Sequence, residues 1–481
     1  MIKMNKIICN LLLLVFTTSL SAQEIFSLDS CRSMALENNK SLRMAQEEIN
    51  AAEYNKKSAF ANYLPSLGVS GTYLHNTKDI ALVSEQQLAK IGETFANIGG
   101  SVGQLVQAGL IKPELAQALQ PMLGELGHLP DALKEATTLD IRNMFVGMAT
   151  ITQPIYQGGK IVAYNNITKY ASDIAKNMKE SEVKDVLYKV DQAYWQVVSL
   201  VAKRKMAESY LNLLESLTKD VSDMYEVGVA TRSDELTVSV KLNEANVALT
   251  KVNDGLVLSK MLLAQLCGLP ISTDYILADE SQNIKLSPYS STFDIDDVFK
   301  YRPEIRSLEL ATQIYKNKEK VALSEMLPHA GFIANYAVTN PHVFDGFQKK
   351  FSGMFSFGVN VSVPVWNWGK DYYKVKAARA EMRKAVYKLE EAKESVELQV
   401  NQAAFKINEA NKTLMMCVSN VDKAKENLNN AEEGYKEGVL TTQNVLEAQT
   451  AWLKAESDKI DAEINVKLTE VYMNKVTGTK N

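Results

Sequence analysis

Histidine, cysteine and proline are scarce in this chain: 4, 4 and 11 copies among 481 residues. His75, His128, His329 and His342 show no metal-ligand spacing. Cys9 lies inside an apolar run near the start, and Cys31, Cys267 and Cys417 are too scattered for a disulfide framework or a zinc site. These three are expected to be free, packed thiols, with the core held by packing. There is no basic excess, since 53 Lys and Arg face 57 Asp and Glu for a net charge of −4, and nucleic acid is therefore not an expected partner. Beyond the first residues no apolar stretch reaches the ~20 residues that a membrane-spanning helix needs. The Gly-rich "GGSVGQ" at 99–104 lacks the Gly-Lys-Ser/Thr that would hold a phosphate. No nucleophile–base constellation appears, so neither enzyme activity nor a cofactor is expected.

The N-terminus is different. Lys3 and Lys6 precede the apolar run Ile7–Phe16, which gives way to the small and polar residues Thr17–Ala22. A basic start, a short apolar core and small residues at its end read as a secretory signal over residues 1–22. The remainder, with a mean hydropathy of −0.16 for the chain, is then an exported protein.

Its main feature is one pattern written twice. Leu42–Pro65 lies on Ile305–Pro328 at a constant offset of 263, so that "ANYLPSLGVSGTY" faces "SEMLPHAGFIANY". Farther on the offset is 210: Pro154, Gly159, Gly228, Thr231 and Gly268 fall on Pro364, Gly369, Gly438, Thr441 and Gly478. The domains expected are therefore a first repeat over 23–278 and a second over 279–481, the first carrying 53 extra positions between its two prolines.

Each half reads as helix, strand, connection, strand and long helix pair. In "FSFGVNVSV", Phe355, Phe357, Val359, Val361 and Val363 alternate with Ser356, Gly358, Asn360 and Ser362; Leu67, Val69 and Tyr73 alternate likewise with Gly68, Ser70 and Thr72. Helices are expected over about 160–227 and 370–437, each on the order of 100 Å long. Gly228 and Gly438 break them, and returning helices run to about 267 and 477. Val375, Ala378, Met382, Ala385, Leu389, Ala392, Val396, Gln399, Ala403, Lys406 and Ala410 are spaced 3,4,3,4, which predicts a coiled-coil seam.

Four strands of about ten residues, apolar on one face, fit transmembrane β-strands. In lipid they cannot keep open edges, and four are too few to close, because single-chain barrels start at about eight. The chain must oligomerise. Two copies would give a lumen filled by side chains, and three would give twelve strands and an aqueous bore. Tyr156, Trp366 and Trp368 would then mark the membrane interface, where aromatic girdles belong.

In the repeat, in the Pro-to-Gly-Lys junctions "QPIYQGGK" and "VPVWNWGK", in "YRPEI" at 301–305 and in the Gly-x-x-Thr turns at 228–231 and 438–441, the chain resembles the TolC-like outer-membrane efflux proteins over nearly all its mature length. The resemblance implies a mainly α fold with a small β part: a homotrimer sharing a twelve-stranded β-barrel in the outer membrane, with an α-helical coiled-coil barrel in the periplasm. It implies a passive conduit in tripartite efflux or type I secretion, joined to an inner-membrane transporter through a periplasmic adaptor. The turns Gly228–Thr231 and Gly438–Thr441 would be the docking tips. Pore-entrance acids of the family would correspond to Asn444 and Glu447, of which only the second is acidic, with Asp234 and Glu235 at the matching stretch of the first half. A carboxylate there could equally serve a helix N-terminus. The family commonly has Asn-Pro where this chain has Asn39-Lys40.

Two other classes stay open at this point. An exported coiled-coil structural or adaptor protein would explain the helices but not the strands, and a solute-selective porin would explain the strands but not the helices. The insertion at 77–141 contains "EQQLAKIGETFANI" and "PELAQALQPMLGEL", both with helical apolar spacing. It reads as a surface loop or as a small helical cap.

Overall fold

The computed structural model describes residues 24–280, 294–342 and 348–478. The expected signal segment lies outside the described residues. The first half runs β1 (Glu24–Phe26), α1 (Leu28–Asn38), α2 (Lys40–Ala61), β2 (Ser66–His75), β3 (Ile80–Ala81), α3 (Glu85–Gln107), α4 (Pro113–Thr137), β4 (Thr138–Leu139), β5 (Asn143–Gln157), α5 (Lys160–Glu226), α6 (Arg232–Cys267) and β6 (Tyr275–Leu277). The second runs α7 (Ile295–Tyr301), α8 (Pro303–Ser324), β7 (His329–Asn340), β8 (Ser352–Ser362), α9 (Lys370–Lys436) and α10 (Thr442–Thr477). The repeat is exact in its long helices: α5 and α9 have 67 residues each, α6 and α10 have 36. Among the described residues no helix is long and apolar enough to cross a membrane.

The elements form two compact units. One, built from 58–162 and 320–374, carries a four-stranded antiparallel sheet in the order β2-β5-β7-β8. Its register puts Leu67, Ile151, Ala334 and Phe357 in one row and Val69, Ala149, Tyr336 and Phe355 in the next on the same face. Between them, on the other face, lie Gly68, Thr150, Asn335 and Ser356. The period-2 alternation of each strand thus adds up to one apolar and one polar face. The apolar side chains of the outer strands are exposed, Phe357 at 71% and Val69 at 80%, which is a surface built to meet something apolar. In the same unit α3 and α4 make a helical hairpin closed at its base by the β3–β4 pair. α3 starts in a capping box formed by Ser84 and Gln87, and α4 runs on through Pro121 and Pro130.

The other unit, from residues up to Lys57, Ala163–Glu319 and from Val375 on, holds the helical core. Val190, Tyr194, Val197 and Val201 of α5, spaced 4,3,4, are buried with Phe26, Cys31, Ala35, Leu263, Cys267, Tyr275 and Leu277. The parallel pair β1–β6 fastens the chain start there, Phe26 on Leu277. Asp191 is buried and accepts two hydrogen bonds from Arg32, 2.8 Å from Nε and 2.7 Å from Nη2. At the Asn39-Lys40 junction Asn39 Oδ1 accepts from Ser41 N at 2.9 Å, so the helix start is capped without a proline.

The seam of α9 departs from the expected one. From Val375 to Val396 the predicted positions are buried or half-buried, but Lys406 is exposed. The buried set continues instead through Val400, Ala403, Ile407, Ala410 and Leu414, with a 4,4 step at Val396–Val400. The reason is a change of partner. Toward its N-terminus α9 is tied to α8 by Arg379–Glu319 and Lys393–Glu309. Farther along, Ala410 and Leu414 pack on Ala462 and Val466 of α10. Val396 and Val400 lie where α7, α8 and α10 all reach α9, beside Val298, Ile305 and Met473. A four-residue step lets the seam turn from one neighbour to the next.

Candidate functional site

Two features of the sequence become geometry. The first is the pair of helix–turn–helix tips. Gly228 has φ 78° and Gly438 φ 70°, left-handed values that glycine adopts without a Cβ penalty. At the first turn Gly228 N donates to Tyr225 O at 3.0 Å and Val229 N to Met224 O at 2.9 Å. At the second, Gly438 N donates to Tyr435 O at 3.0 Å and Val439 N to Gly434 O at 2.8 Å. Both are Schellman endings, which satisfy the last carbonyls of a helix. A Cβ at either glycine would meet nothing within 4 Å, so the backbone angle alone calls for glycine.

Thr231 and Thr441 then start the returning helices as N-caps. Asp234 Oδ2 accepts from Thr231 N at 3.0 Å and from Thr231 Oγ1 at 2.6 Å. Asn444 Oδ1 does the same for Thr441, at 3.0 and 2.7 Å. Asp234 and Asn444 are thus the third residues of two matching capping boxes, and the bonds from Thr231 hold the Asp234 carboxyl below its usual range. That explains how one tip can carry Asp and the other Asn: both present the oxygen the cap needs. Glu235 pairs with Arg232, whose guanidinium also lies 5.8 Å from the Tyr225 ring centroid. Glu447 is exposed one turn into α10 and accepts from Gln443 Nε2 at 3.0 Å. Its partner is an amide, and among the described residues no ion pair to it is formed.

Behind the turns Tyr210, Leu214, Leu217, Val221, Val238, Val445 and Leu446 form one buried cluster, joining α5 and α6 to α10. Val227, Val229 and Val439 instead stand in solvent. Sequence reasoning passed over these three valines. Their signal was the phrase "YEVGVAT" against "YKEGVLT", where apolar residues flank a turn glycine.

The second feature is the strand-to-helix junction, in the unit that carries the sheet. Tyr156 is still within β5, just past a register shift at Pro154, whereas β8 ends at Ser362, short of Trp366. Trp366 and Trp368 are exposed and meet edge to face, 5.9 Å between ring centroids. Trp368 has φ 57° and Gly369 φ 78°; Gly158 and Gly159 in the first half have 59° and 81°. A double left-handed turn therefore leads directly into each long helix, at once after β5 but six residues beyond the end of β8. At Gly158 a Cβ would come within 2.8 Å of Ser324 O, so only glycine fits, whereas Trp368 stands 87% exposed against Trp366.

Arg302 of "YRPEI" is buried, donating from Nη1 to Val476 O at 2.8 Å and from Nη2 to Gln399 Oε1 at 3.2 Å. It locks the end of α10 to α9, a structural role for the motif. Among the described residues no group of His, Cys, Asp and Glu is placed to hold a metal ion.

Long paired helices, Schellman tips in duplicate and a sheet with an exposed apolar face define a channel-forming class of envelope protein. The chain belongs to the outer membrane efflux protein family, whose model matches residues 125–269 and 295–479. That family is one of transport components of the outer membrane, which sets aside the readings as a coiled-coil structural protein and as a porin. The alkaline protease secretion protein AprF of Pseudomonas aeruginosa is 20% identical over 318 residues; the match spans 65% of each chain. The CmeC outer membrane channel of Campylobacter jejuni superposes with a TM-score of 0.72 at 15% identity, over 94% of this chain and 87% of that one. VceC, the outer membrane protein of Vibrio cholerae, gives 0.70 at 14% identity, over 94% and 96%.

Proposed function

We propose that three copies of the chain form a passive conduit from periplasm to exterior, serving tripartite efflux or type I secretion. The observation that carries this is the four-stranded sheet, whose edge strands β2 and β8 have no further neighbour among the described strands. In a bilayer those unpaired groups need partners, and copies of the same edges supply them. Twelve strands from three chains give a bore that eight would not. Tyr156, Trp366 and Trp368 then lie at the membrane interface, and the α3–α4 hairpin caps the outer side, since it connects two strands opposite their helical ends.

The tips at Gly228–Thr231 and Gly438–Thr441 dock a periplasmic adaptor that links the channel to an inner-membrane transporter. The exposed Val227, Val229 and Val439 offer that partner an apolar contact. Energy comes from the transporter. Glu447 lines the entrance, because Asp234 and Asn444 are committed to caps and Glu235 to Arg232. Light scattering on detergent-solubilised protein tests the assembly. Three chain masses per particle are expected, also after removal of 85–137; a monodisperse monomer or dimer refutes the conduit, and loss of the trimer on removal refutes the cap.

A further inference from the structure

We propose that Cys31 and Cys267 are joined by a disulfide in the mature protein, a staple between α1 and the end of α6. Both residues are fully buried in the same cluster, among Phe26, Tyr194 and Tyr275. The Cys267 Sγ lies 3.6 Å from the Cys31 carbonyl oxygen and donates to it. Independent contacts fix this approach. Asn39 Nδ2 donates to Leu266 O at 3.4 Å, and Gly268 (φ 74°) is pressed so closely on Asn38 that a Cβ would overlap that of Asn38. β1 and β6, which flank the two helices, pair through three residues.

The repeat shows that the sulfur pair is an addition to a shared geometry. The Asn38–Gly268 contact recurs as Tyr301–Gly478 in the second half. There, Cys31 and Cys267 correspond to Asp294 and Thr477. Asp294 caps α7, and the Thr477 hydroxyl donates to Met473 O at 2.9 Å. Neither could make a covalent link.

An outer-membrane protein folds in the periplasm, where disulfides form and persist. Exchange begins from a thiolate, here that of Cys267. It attacks one sulfur of a periplasmic disulfide-carrier protein, whose other sulfur leaves as thiolate and gives a mixed disulfide. Cys31, its proton lost to water, attacks the Cys267 sulfur and expels the carrier. One S–S bond forms in the channel, one is broken in the carrier, and the carrier leaves as a dithiol holding both electrons. Burial of the pair in the finished fold means that the exchange precedes closure of the cluster. Cys417, on α9 and half-buried, packs against Ala410, Leu414, Ala462 and Val466, apart from the Cys31–Cys267 cluster, and stays a thiol.

The test uses the full-length protein taken from cell envelopes, denatured in iodoacetamide without reductant, digested and read by mass spectrometry. The expected result is a linked pair of peptides holding Cys31 and Cys267, alkylated only after reduction, with Cys417 alkylated throughout. Alkylation of both residues without reductant overturns the proposal, as does linkage of either to Cys417. As a second measurement, reductant should lower the heat-dissociation midpoint of wild type and leave that of Cys267→Ala unmoved; an equal shift in both, or none in wild type, overturns the staple.

Discussion

Gly228 and Gly268 have nearly the same backbone angle, φ 78° and 74°, but opposite surroundings. Replacing each by alanine therefore separates the cost of the angle from the cost of space. At Gly228 nothing lies within 4 Å of the new Cβ, so Gly228→Ala should lose only the left-handed penalty, about 1–2 kcal/mol. At Gly268 the new Cβ overlaps that of Asn38, with Asn38 backbone carbon at 3.4 Å. Two helix ends must separate, which adds about 1–3 kcal/mol of overpacking. Gly478→Ala, facing Tyr301 Cβ and O at 3.1 Å, should fall between the two. The assay is the heat-dissociation midpoint of detergent-solubilised protein at one fixed scan rate, because unfolding of such an assembly reports a rate as much as an equilibrium. Asn38→Gly removes the obstructing Cβ and should recover part of the Gly268→Ala loss while giving no rescue to Gly228→Ala, a coupling of the kind that contacting residues show. Equal losses at Gly228 and Gly268, or no rescue by Asn38→Gly, would refute the steric account.

Trp368→Gly should raise the dissociation midpoint by relieving about 1 kcal/mol of left-handed strain, yet slow insertion into lipid vesicles; a lower midpoint would show that the indole packs. Arg32→Met strands the buried Asp191 carboxylate and should cost about 3–5 kcal/mol at neutral pH. Burial already raises the Asp191 pKa against the opposing pull of Arg32, and without Arg32 it rises further. The folded variant then binds its proton more tightly than the unfolded one, so its deficit relative to wild type is full above the folded pKa and shrinks as pH falls through it. A deficit that does not shrink at any point as the pH is lowered from neutral would contradict this. Glu447→Gln should reduce cation preference and multivalent-cation block in bilayer recordings, since an acidic ring favours cations in a constriction, with the assembly intact; unchanged conductance, selectivity and block would remove Glu447 from the entrance.

The strands and long helices were legible because each carries a period over many residues. Alternation at 355–363 located β8, and the repeat placed the starts of α5 and α9 at Lys160 and Lys370. What escaped was decided by partners distant in sequence. Lys406 keeps the heptad on paper, yet Ile407 enters the core, because α9 has by then turned to α10. The three-residue β1 and β6 are too short to show any period and exist through each other. At the tips the spacing Gly-x-x-Thr was readable, but which carboxylates are committed was not. Asp234 and Asn444 look unlike until their shared bond to a threonine is seen.

The seam of α9 also bears on how such a gene can change length. One residue added within the helix turns everything beyond it by about 100°, carrying the buried faces of Leu414, Val421 and Leu428 into water. Insertions of seven or eleven restore the face, but only if α10 lengthens to match, and the equal lengths of α5 and α9 extend the same condition to the other half. Between β2 and β5 no such matching is required, because the pair β3–β4 closes whatever lies beyond it. Duplication followed by free drift would therefore conserve helix lengths and accumulate new sequence at that one junction, which is where the surplus of the first half resides.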